Sequence, residues 1–224
     1  MLVKDLMAAN PIHVGPDRSV ADALQLMGKH GIRHLPVLDE AGKLLGLVTR
    51  ASLNMALPGI GTGLTQFESR YLTSATLVRE VMIGDPIQVA EDEAVEEAAR
   101  VMNVNRISSL LVMRAGKIVG IITDTDIFEA MLELLGARRP GVRLTAALPN
   151  RPGELSKLSG TIGTLGGNIM AVGGWHLPDD SWAAVIKIDK LSREQILAAV
   201  AELPGVKVLD IREQVAPESS ETLT

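Results

Sequence analysis

Gly120-Ile121-Ile122-Thr123-Asp124-Thr125-Asp126 ends a segment that the chain has already used once, at Gly46-Leu47-Val48-Thr49. Worked outward from these two endings, one register holds. Leu2-Val3-Lys4-Asp5-Leu6-Met7 lies over Leu77-Val78-Arg79-Glu80-Val81-Met82, Pro11-Ile12 over Pro86-Ile87, Val14 over Val89 and Asp17 over Asp92. Val20, Ala23 and Met27 fall on Val95, Ala98 and Met102; Ile32, Leu35 and Val37 fall on Ile107, Leu110 and Val112. One residue drops out at a turn, after which Gly42-Lys43 matches Gly116-Lys117 and Thr49 matches Thr123.

Each copy reads physically as strand, helix, hairpin, helix. Val20, Ala23, Leu24 and Met27 form one stripe of a helix, as do Val95, Ala98, Ala99 and Met102. Ser19 and Asp22 carry a capping-box spacing at the start of the first stripe. Two short apolar runs then flank a Gly-containing turn, Leu35 to Leu38 with Leu44 to Val48, and Leu110 to Met113 with Ile118 to Ile122. That pattern predicts a hairpin. A second helix follows, clearest from Ile127 to Leu132. One copy is too small to cover both faces of its sheet, so the two are expected to pack together. Leu57-Pro58-Gly59-Ile60-Gly61 reads as a loop and Gln66 to Leu72 as a short helix, joining the copies over residues 57–76.

Residues 137–141 read as a linker, with Gly136 leading into it. Beyond it Val142 to Leu148 alternates as a half-buried strand does, and Pro149 to Gly153 breaks the strand. Glu154 starts a helix with the stripe Leu155, Leu158, Ile162 and Leu165. Asn168 to Gly174 and Trp182 to Ile188 read as strands around a turn at Pro178-Asp179-Asp180. Ser192 caps a helix striped by Ile196, Val200 and Leu203, with Gln195 completing a capping box, and Val206 to Ile211 is a last strand. The order βαββαβ over residues 142–214 is that of a ferredoxin-like unit. The polar stretch 215–224 reads as a disordered tail.

The closing motifs above, with Ile32-Arg33-His34-Leu35-Pro36-Val37 before the first of them, resemble CBS domains in both copies, here residues 1–56 and 77–136. The resemblance implies two β-α-β-β-α repeats packed about a pseudo-twofold axis, an α+β fold, with a site for an adenine nucleotide of the AMP or ATP kind. Leu148-Pro149-Asn150-Arg151-Pro152-Gly153-Glu154-Leu155, with Gly166-Gly167-Asn168-Ile169, resembles an ACT domain, which implies a small effector such as an amino acid. The two modules in this order resemble the acetoin-utilisation protein B family.

By that resemblance Thr123 contacts ribose or phosphate and Asp126 grips the ribose hydroxyls. A carboxylate suits a cis-diol because it accepts two charge-assisted hydrogen bonds. The residues by themselves also fit a plain helix cap, Asp126 at the N-cap with Glu129 completing a box. In the first copy Thr49 is kept but Ser52 replaces the acid, so the better ribose site is expected in the second. Ile12, Val14, Ile87 and Val89, and the strand beginning Ser109-Leu110, would flank the adenine or simply pack the core. Arg33, His34 and Arg50 either converge on phosphates near the axis or are solvated; Ser108 and Ser109 stand in the second copy where Arg33 and His34 stand in the first. In the C-terminal unit the effector candidates are Asn150, Gly153, Glu154 and Asn168, each of which turn or helix-start chemistry also explains.

Other chemistries are disfavoured. The chain has 224 residues, 46% of them hydrophobic and 22% charged, and no cysteine, which removes disulfides, thiolate metal sites and a cysteine nucleophile. A net charge of −5 without a basic block is a poor match to nucleic acid. No apolar run is long enough to span a membrane and no leader is visible, so the cytoplasm is expected. His30 and His34 are four apart but Gly31 breaks any helix between them, and His13 and His176 have no evident partner, so no metal site is expected. Gly160, Gly163, Gly166 and Gly167 lack the Lys-Ser/Thr of a phosphate loop; close packing and a helix C-cap account for them. The expectation is a non-catalytic regulatory sensor, a homodimer acting on a target protein. The competing readings are a ligand-free scaffold and an enzyme with an unrecognised site.

Overall fold

The computed structural model describes residues 1–56 and 74–215. The loop and helix read for Leu57–Gly61 and Gln66–Leu72, and the tail from Ala216, lie outside them. The chain divides into two compact units, the first Met1–Phe128 and the second starting at Glu129.

The first unit holds both repeats. The leading copy contains a 3₁₀ turn at Val3–Asp5, β1 (Ala8–Ala9), α1 (Val20–His30), β2 (His34–Leu38), β3 (Leu44–Thr49) and α2 (Arg50–Met55). The second contains α3 (Val78–Val81), β4 (Gln88–Ala90), α4 (Val95–Asn105), β5 (Ser109–Arg114), β6 (Lys117–Thr123) and α5 (Asp124–Leu134), the last running on into the second unit. The helix stripes bury as their periodicity predicts: Val20, Ala23, Met27, Val95, Ala98 and Met102 are all core. Ser19 Oγ accepts from the Asp22 N–H at 3.1 Å, and Gly31 ends α1 in the left-handed region. The strand expected around Ile12 to Val14 shrinks to one parallel bridge, Val14 with Val37, where β4 keeps three residues. Pro11 and Pro16 flank that bridge and cannot donate to a ladder.

What the sequence does not announce is that the copies exchange their leading segments. Val3 N–H donates to Glu93 O at 2.9 Å and Lys4 N–H to Glu91 O at 2.8 Å. The repeat-related bonds exist as well: Val78 N–H to Arg18 O at 2.8 Å and Arg79 N–H to Pro16 O at 3.0 Å. Ala8 pairs with Ile121, and its counterpart Ile83 bridges Leu47, the counterpart of Ile121. Val78 is a fully buried member of the first copy's core, beside Val14, Val20, Met27, Leu35, Val48 and Leu53. Val3 is likewise fully buried. This reciprocity is a pseudo-twofold relation written in hydrogen bonds. It extends the second hairpin to a sheet ordered β1-β6-β5-β4, and flanks the hairpin β2-β3 with the bridges at Ile83 and Val14.

The exchange explains two glycines. A Cβ at Gly46 would stand 2.6 Å from Ile83 O and 2.9 Å from Met82 Sδ, and one at Gly120 would meet the counterpart Met7 Sδ and lie 3.2 Å from Ala8 O.

In the second unit β7 (Gly141–Leu148), α6 (Glu154–Thr164), β8 (Asn168–His176), β9 (Trp182–Asp189), α7 (Arg193–Ala201) and β10 (Lys207–Gln214) follow the βαββαβ order. Their antiparallel sheet is ordered β10-β7-β9-β8. Val142, Leu144, Ala146 and Leu148 alternate into the core, where they meet Leu158, Ile162, Ile196 and Val200 of the helices. Ser192 and Gln195 close the expected capping box. Leu155 and Leu165, read as part of the α6 stripe, are instead exposed, because the buried stripe is carried by Leu158 and Ile162. Lys187 is buried on the opposite face of the sheet, its Nζ donating to Gln214 Oε1 at 2.5 Å and Gly141 O at 3.4 Å. Gly136 lies against its stem, with a Cβ there 3.3 Å from Lys187 Cγ.

Close packing and capping hold for only two of the four glycines around α6. Gly166 has φ +81° and Gly167 sits against Leu191 and Ile162, but Gly160 and Gly163 have nothing within 4 Å of a Cβ. Two substitutions therefore separate in sign. Gly46→Ala is expected to cost roughly 1–3 kcal/mol, because the backbone oxygen in its way cannot rotate aside. Gly160→Ala is expected to gain about 0.5–1 kcal/mol from helix propensity alone. Urea denaturation of the two variants against wild type reads both.

Candidate functional site

Each copy has a junction of strand and helix, at Thr49 and at Thr123, and similar local chemistry builds both. At the first, Thr49 Oγ1 accepts from the Ser52 N–H at 3.0 Å, and Ser52 Oγ accepts from the Thr49 N–H at 3.0 Å. Ser52 also donates its one hydroxyl proton to Thr49 O at 3.0 Å. At the second, Asp126 Oδ2 accepts from both the N–H and the hydroxyl of Thr123, each at 2.7 Å. The threonine is thus the residue before the helix and the acid or serine the third residue within it. Asp126 is not the N-cap of a box with Glu129, since α5 already begins at Asp124.

The difference between the junctions is chemical. Asp126 Oδ1 makes no hydrogen bond among the described residues, so a charged acceptor remains for an incoming hydroxyl. Ser52 has donated its proton and has no charge.

Between the copies lies a cleft of about 600 Å³, lined by residues of both, including His34, Leu47, Thr49, Ile87, Arg106 and Ser109. Of the residues singled out in the sequence, His34, Thr49, Ile87 and Ser109 are among its lining. Thr123 pairs with Ser109 across the β5–β6 hairpin, but neither Thr123 nor Asp126 is among the lining residues. Of the two junctions it is the first, through Thr49, that lines this cleft, and Ser52, Arg33 and Arg50 are not among its lining either. Leu110 and Val14 are buried side chains of the core. Ile12 packs partly buried against the first core, and Val89 is half-buried in β4.

His34 and Arg33 reach from the first copy into the second. His34 Nε2 is 3.1 Å from Ser108 Oγ, and an Arg33 guanidinium nitrogen is 3.8 Å from Asp124 Oδ1. His34 is therefore neither a free surface side chain nor half of a pair with His30. Burial, reinforced by the neighbouring Arg33 charge, holds its pKa below the ordinary 6.5 in spite of Asp124, so the ring is neutral at pH 7. Arg50 is exposed, its N–H bonded to Arg33 O at 2.8 Å.

Sequence reasoning passed over Asp124, Asp85 and Arg106. Arg106 and Asp85 line the cleft, and Asp124 pairs with Arg33. Asp124 lies inside the closing motif, but only the crossing of the two copies brings it opposite Arg33.

In the second unit Glu154 is buried and accepts from Lys157 Nζ at 2.9 Å and from Arg151 at 3.3 Å. The Lys157 hydrogen bond first, then the charges of both cations, hold its carboxyl below the usual range. Gly153 has φ +88°, a conformation that favours glycine. Asn150 Nδ2 donates to Asp180 Oδ1 at 3.5 Å. Asn168 does not join them. It pairs with Asp189 at one end of β9, whereas β7 reaches the turn at Asn150 from Leu148, which pairs with Trp182 at the other end. Seven residue steps separate those ends, roughly 24 Å at the rise of a strand. Within one chain the four effector candidates form a cluster of three and an outlier.

The pattern of two copies is shared with known proteins. The model of the CBS domain matches residues 3–59 and 78–133, half of the chain. The chain belongs to the CBS-domain family. Its CBS pair is similar to part of L-aspartate semialdehyde sulfurtransferase from Methanocaldococcus jannaschii, 32% identical over 127 residues, 56% of this chain and 22% of that enzyme. This chain thus spans about a fifth of that relative's length. Among solved structures, a candidate acetoin utilization protein (AcuB) of Vibrio cholerae is 31% identical with a TM-score of 0.52, covering 61% of this chain and 96% of that one. The CBS domain pair of protein MJ0100, solved with 5′-methylthioadenosine and S-adenosyl-L-methionine, is 31% identical with a TM-score of 0.50, covering 62% and 98%.

The sign of a pH effect follows from His34. The unfolded chain takes up a proton near pH 6.5 and the folded chain only at lower pH, so stability is full above 6.5 and falls as pH drops through that window. Urea midpoints measured between pH 7 and pH 5 are expected to decline, and to decline less in His34→Gln. Equal slopes for the two proteins would assign the decline to other groups.

Proposed function

We propose that the CBS pair binds an adenosine-containing ligand and that the protein is a non-catalytic regulator. The observation that carries this reading is Asp126, with one carboxylate oxygen fixed by Thr123 and the other left to accept. The cleft between the copies has room for a nucleoside and offers Ile87 and Ser109 for the adenine. Binding of adenosyl compounds by protein MJ0100 supports the same assignment here. The ribose belongs in the second copy, because Ser52 is already committed to Thr49. Thr49, Arg33, His34 and Arg50 then face the ligand from the first copy, with Ile12 and Val89 on the flanking strands.

The domain limits proposed are 1–56 and 77–136 for the two CBS domains and 142–214 for an ACT domain. Its effector, an amino acid or other small molecule, would meet Asn150, Gly153 and Glu154. A homodimer, a target protein and a role in acetoin or related carbon metabolism complete the proposal. The likeness to the Vibrio cholerae protein supports that role. A second reading, a ligand-free scaffold, draws on one observation, the spent hydroxyl of Ser52, and applies to the first junction alone.

Thermal shift tests the reading. A ligand that binds only the folded state raises the melting temperature, by about 2.7 kcal/mol of added stability at a hundredfold excess over Kd. S-adenosylmethionine, methylthioadenosine, AMP and ATP are the probes, with GTP as control. Asp126→Asn keeps an acceptor for the Thr123 N–H but not the charge. The expected result is a shift with at least one adenosine compound that is reduced in Asp126→Asn and unchanged in Ser52→Ala. No shift with any adenosine compound at millimolar concentration, confirmed by calorimetry, would move the reading to the scaffold.

A further inference from the structure

The sheet of the second unit has a face that its two helices do not cover. Val142, Leu144, Ala146 and Leu148 of β7 enter the core beneath those helices, so Arg143, Thr145 and Ala147 point the other way. On that face the register lines up three cations. Arg143 stands directly opposite Arg212 of β10 on one side and Lys187 of β9 on the other. Neighbouring strands lie roughly 5 Å apart, so the row from Arg212 through Arg143 to Lys187 crosses three strands in about 10 Å. Like charges set opposite one another destabilise a sheet.

Compensating charge on this face is scarce. Among the described residues, Asp210 is the one carboxylate that pairs with any of the three. Arg212 holds its Oδ1 at 2.7 Å and its Oδ2 at 2.8 Å, and Arg143 reaches the same Oδ2 at 3.3 Å. Lys187 has no carboxylate partner among the described residues; its Nζ donates to two neutral acceptors, Gln214 Oε1 and Gly141 O. Asp189, two residues along β9, accepts instead from the Lys190 N–H. Lys187 is nevertheless 2% exposed. Burial, and then the neighbouring Arg143 charge, hold its ammonium below its ordinary pKa. A buried charge with no opposite charge is costly. Two donors are also unspent. An ammonium has three protons and Lys187 uses two. Thr145, buried on the same face, accepts from Arg143 Nη1 at 3.1 Å, and its own hydroxyl proton meets no acceptor among the described residues.

We infer that this row is a binding site for a small dianion, an oxyanion of the phosphate or dicarboxylate kind. Three cations against one carboxylate leave two positive charges, which a dianion cancels. Arg143 supplies a guanidinium fork matched to either oxyanion, Lys187 its third proton and Thr145 its hydroxyl. The row runs from exposed Arg212 through half-buried Arg143 to buried Lys187, so the open approach is from the β10 edge. Leu135 and Gly136 lie over the other side, against Gly173 and the stem of Lys187. The site is separate from the turn at Asn150, since Arg143 and Leu148 are five steps apart on β7, roughly 17 Å at the rise of a strand.

Isothermal titration of the full chain in chloride buffer tests this, with inorganic phosphate and malonate as the two dianions and acetate as the monoanion. Whichever dianion binds more tightly identifies the chemistry, and it is expected to exceed acetate at least tenfold. Arg143→Gln is expected to weaken it about tenfold, the worth of one charged hydrogen bond. Thr145→Val removes one neutral donor and is expected to weaken it about threefold; it carries the test if Arg143→Gln does not fold. Arg106→Gln, in the cleft between the repeats, and Lys117→Gln, an exposed cation of β6, should each change binding less than twofold. No heat with either dianion at millimolar concentration overturns the inference. So does acetate binding as tightly as the dianions, or a dianion affinity untouched in both Arg143→Gln and Thr145→Val. A loss in Arg106→Gln as large as that in Arg143→Gln would move the anion to the other unit and overturn it too.

Discussion

Everything in the first unit depends on the crossing of Leu2–Met7 and Leu77–Met82. A two-stranded hairpin is marginal alone in water, and each hairpin here is flanked by a strand or bridge that the other copy supplies. Val78 fills the first core, so removing the second copy would open a hole in the first as well as uncover its surface. The crossing also requires a bare backbone at Gly46 and Gly120, which is why the repeat keeps glycine at both.

The same crossing makes the site. Thr49 and Thr123 are ordinary helix caps, and Ser52 and Asp126 ordinary third residues of a helix. Thr49 lines a cleft together with Ile87, Arg106 and Ser109 of the other copy only because the copies interlock. The cap and the candidate ribose grip are one arrangement: Thr123 holds Asp126 by a single oxygen, which fixes its rotamer and leaves the second oxygen for use. At Asp126 the cap leaves one carboxylate oxygen unused, whereas Ser52 has already given its one proton to Thr49 O.

Much of the fold was legible because periodicity reports burial. The stripes of α1, α4 and α7 and the alternation of β7 name their core residues directly. The doubled motif made the pairing of copies an expectation, and it located Thr123 and Asp126 by number. The exchange was hidden because Val3 and Val78 read equally well as the start of their own repeat; only hydrogen bonds to Glu93 and Arg18 tell whose sheet they serve. Asp124 was hidden for the same reason, its partner Arg33 being ninety-one positions away by number. Asn168 was misgrouped because nearness in a motif is not nearness on a sheet: α6 carries the chain from one end of the strands to the other. Lys187 gave no warning, since a lysine on the far face of a strand ordinarily reaches water.

The interlocked leading segments have one more consequence, for how the chain tolerates being cut. A polypeptide ending after α2 would carry a segment, Val3 to Ala9, shaped for a sheet it no longer possesses, and a sheet lacking the segment shaped for it. Two such fragments satisfy each other, because the missing piece in one is the surplus piece in its neighbour. Severed halves of this unit should behave as complementary parts that reassemble without a covalent join. A single half should recruit a twin, with Val3 standing in for Val78 and Met7 for Met82.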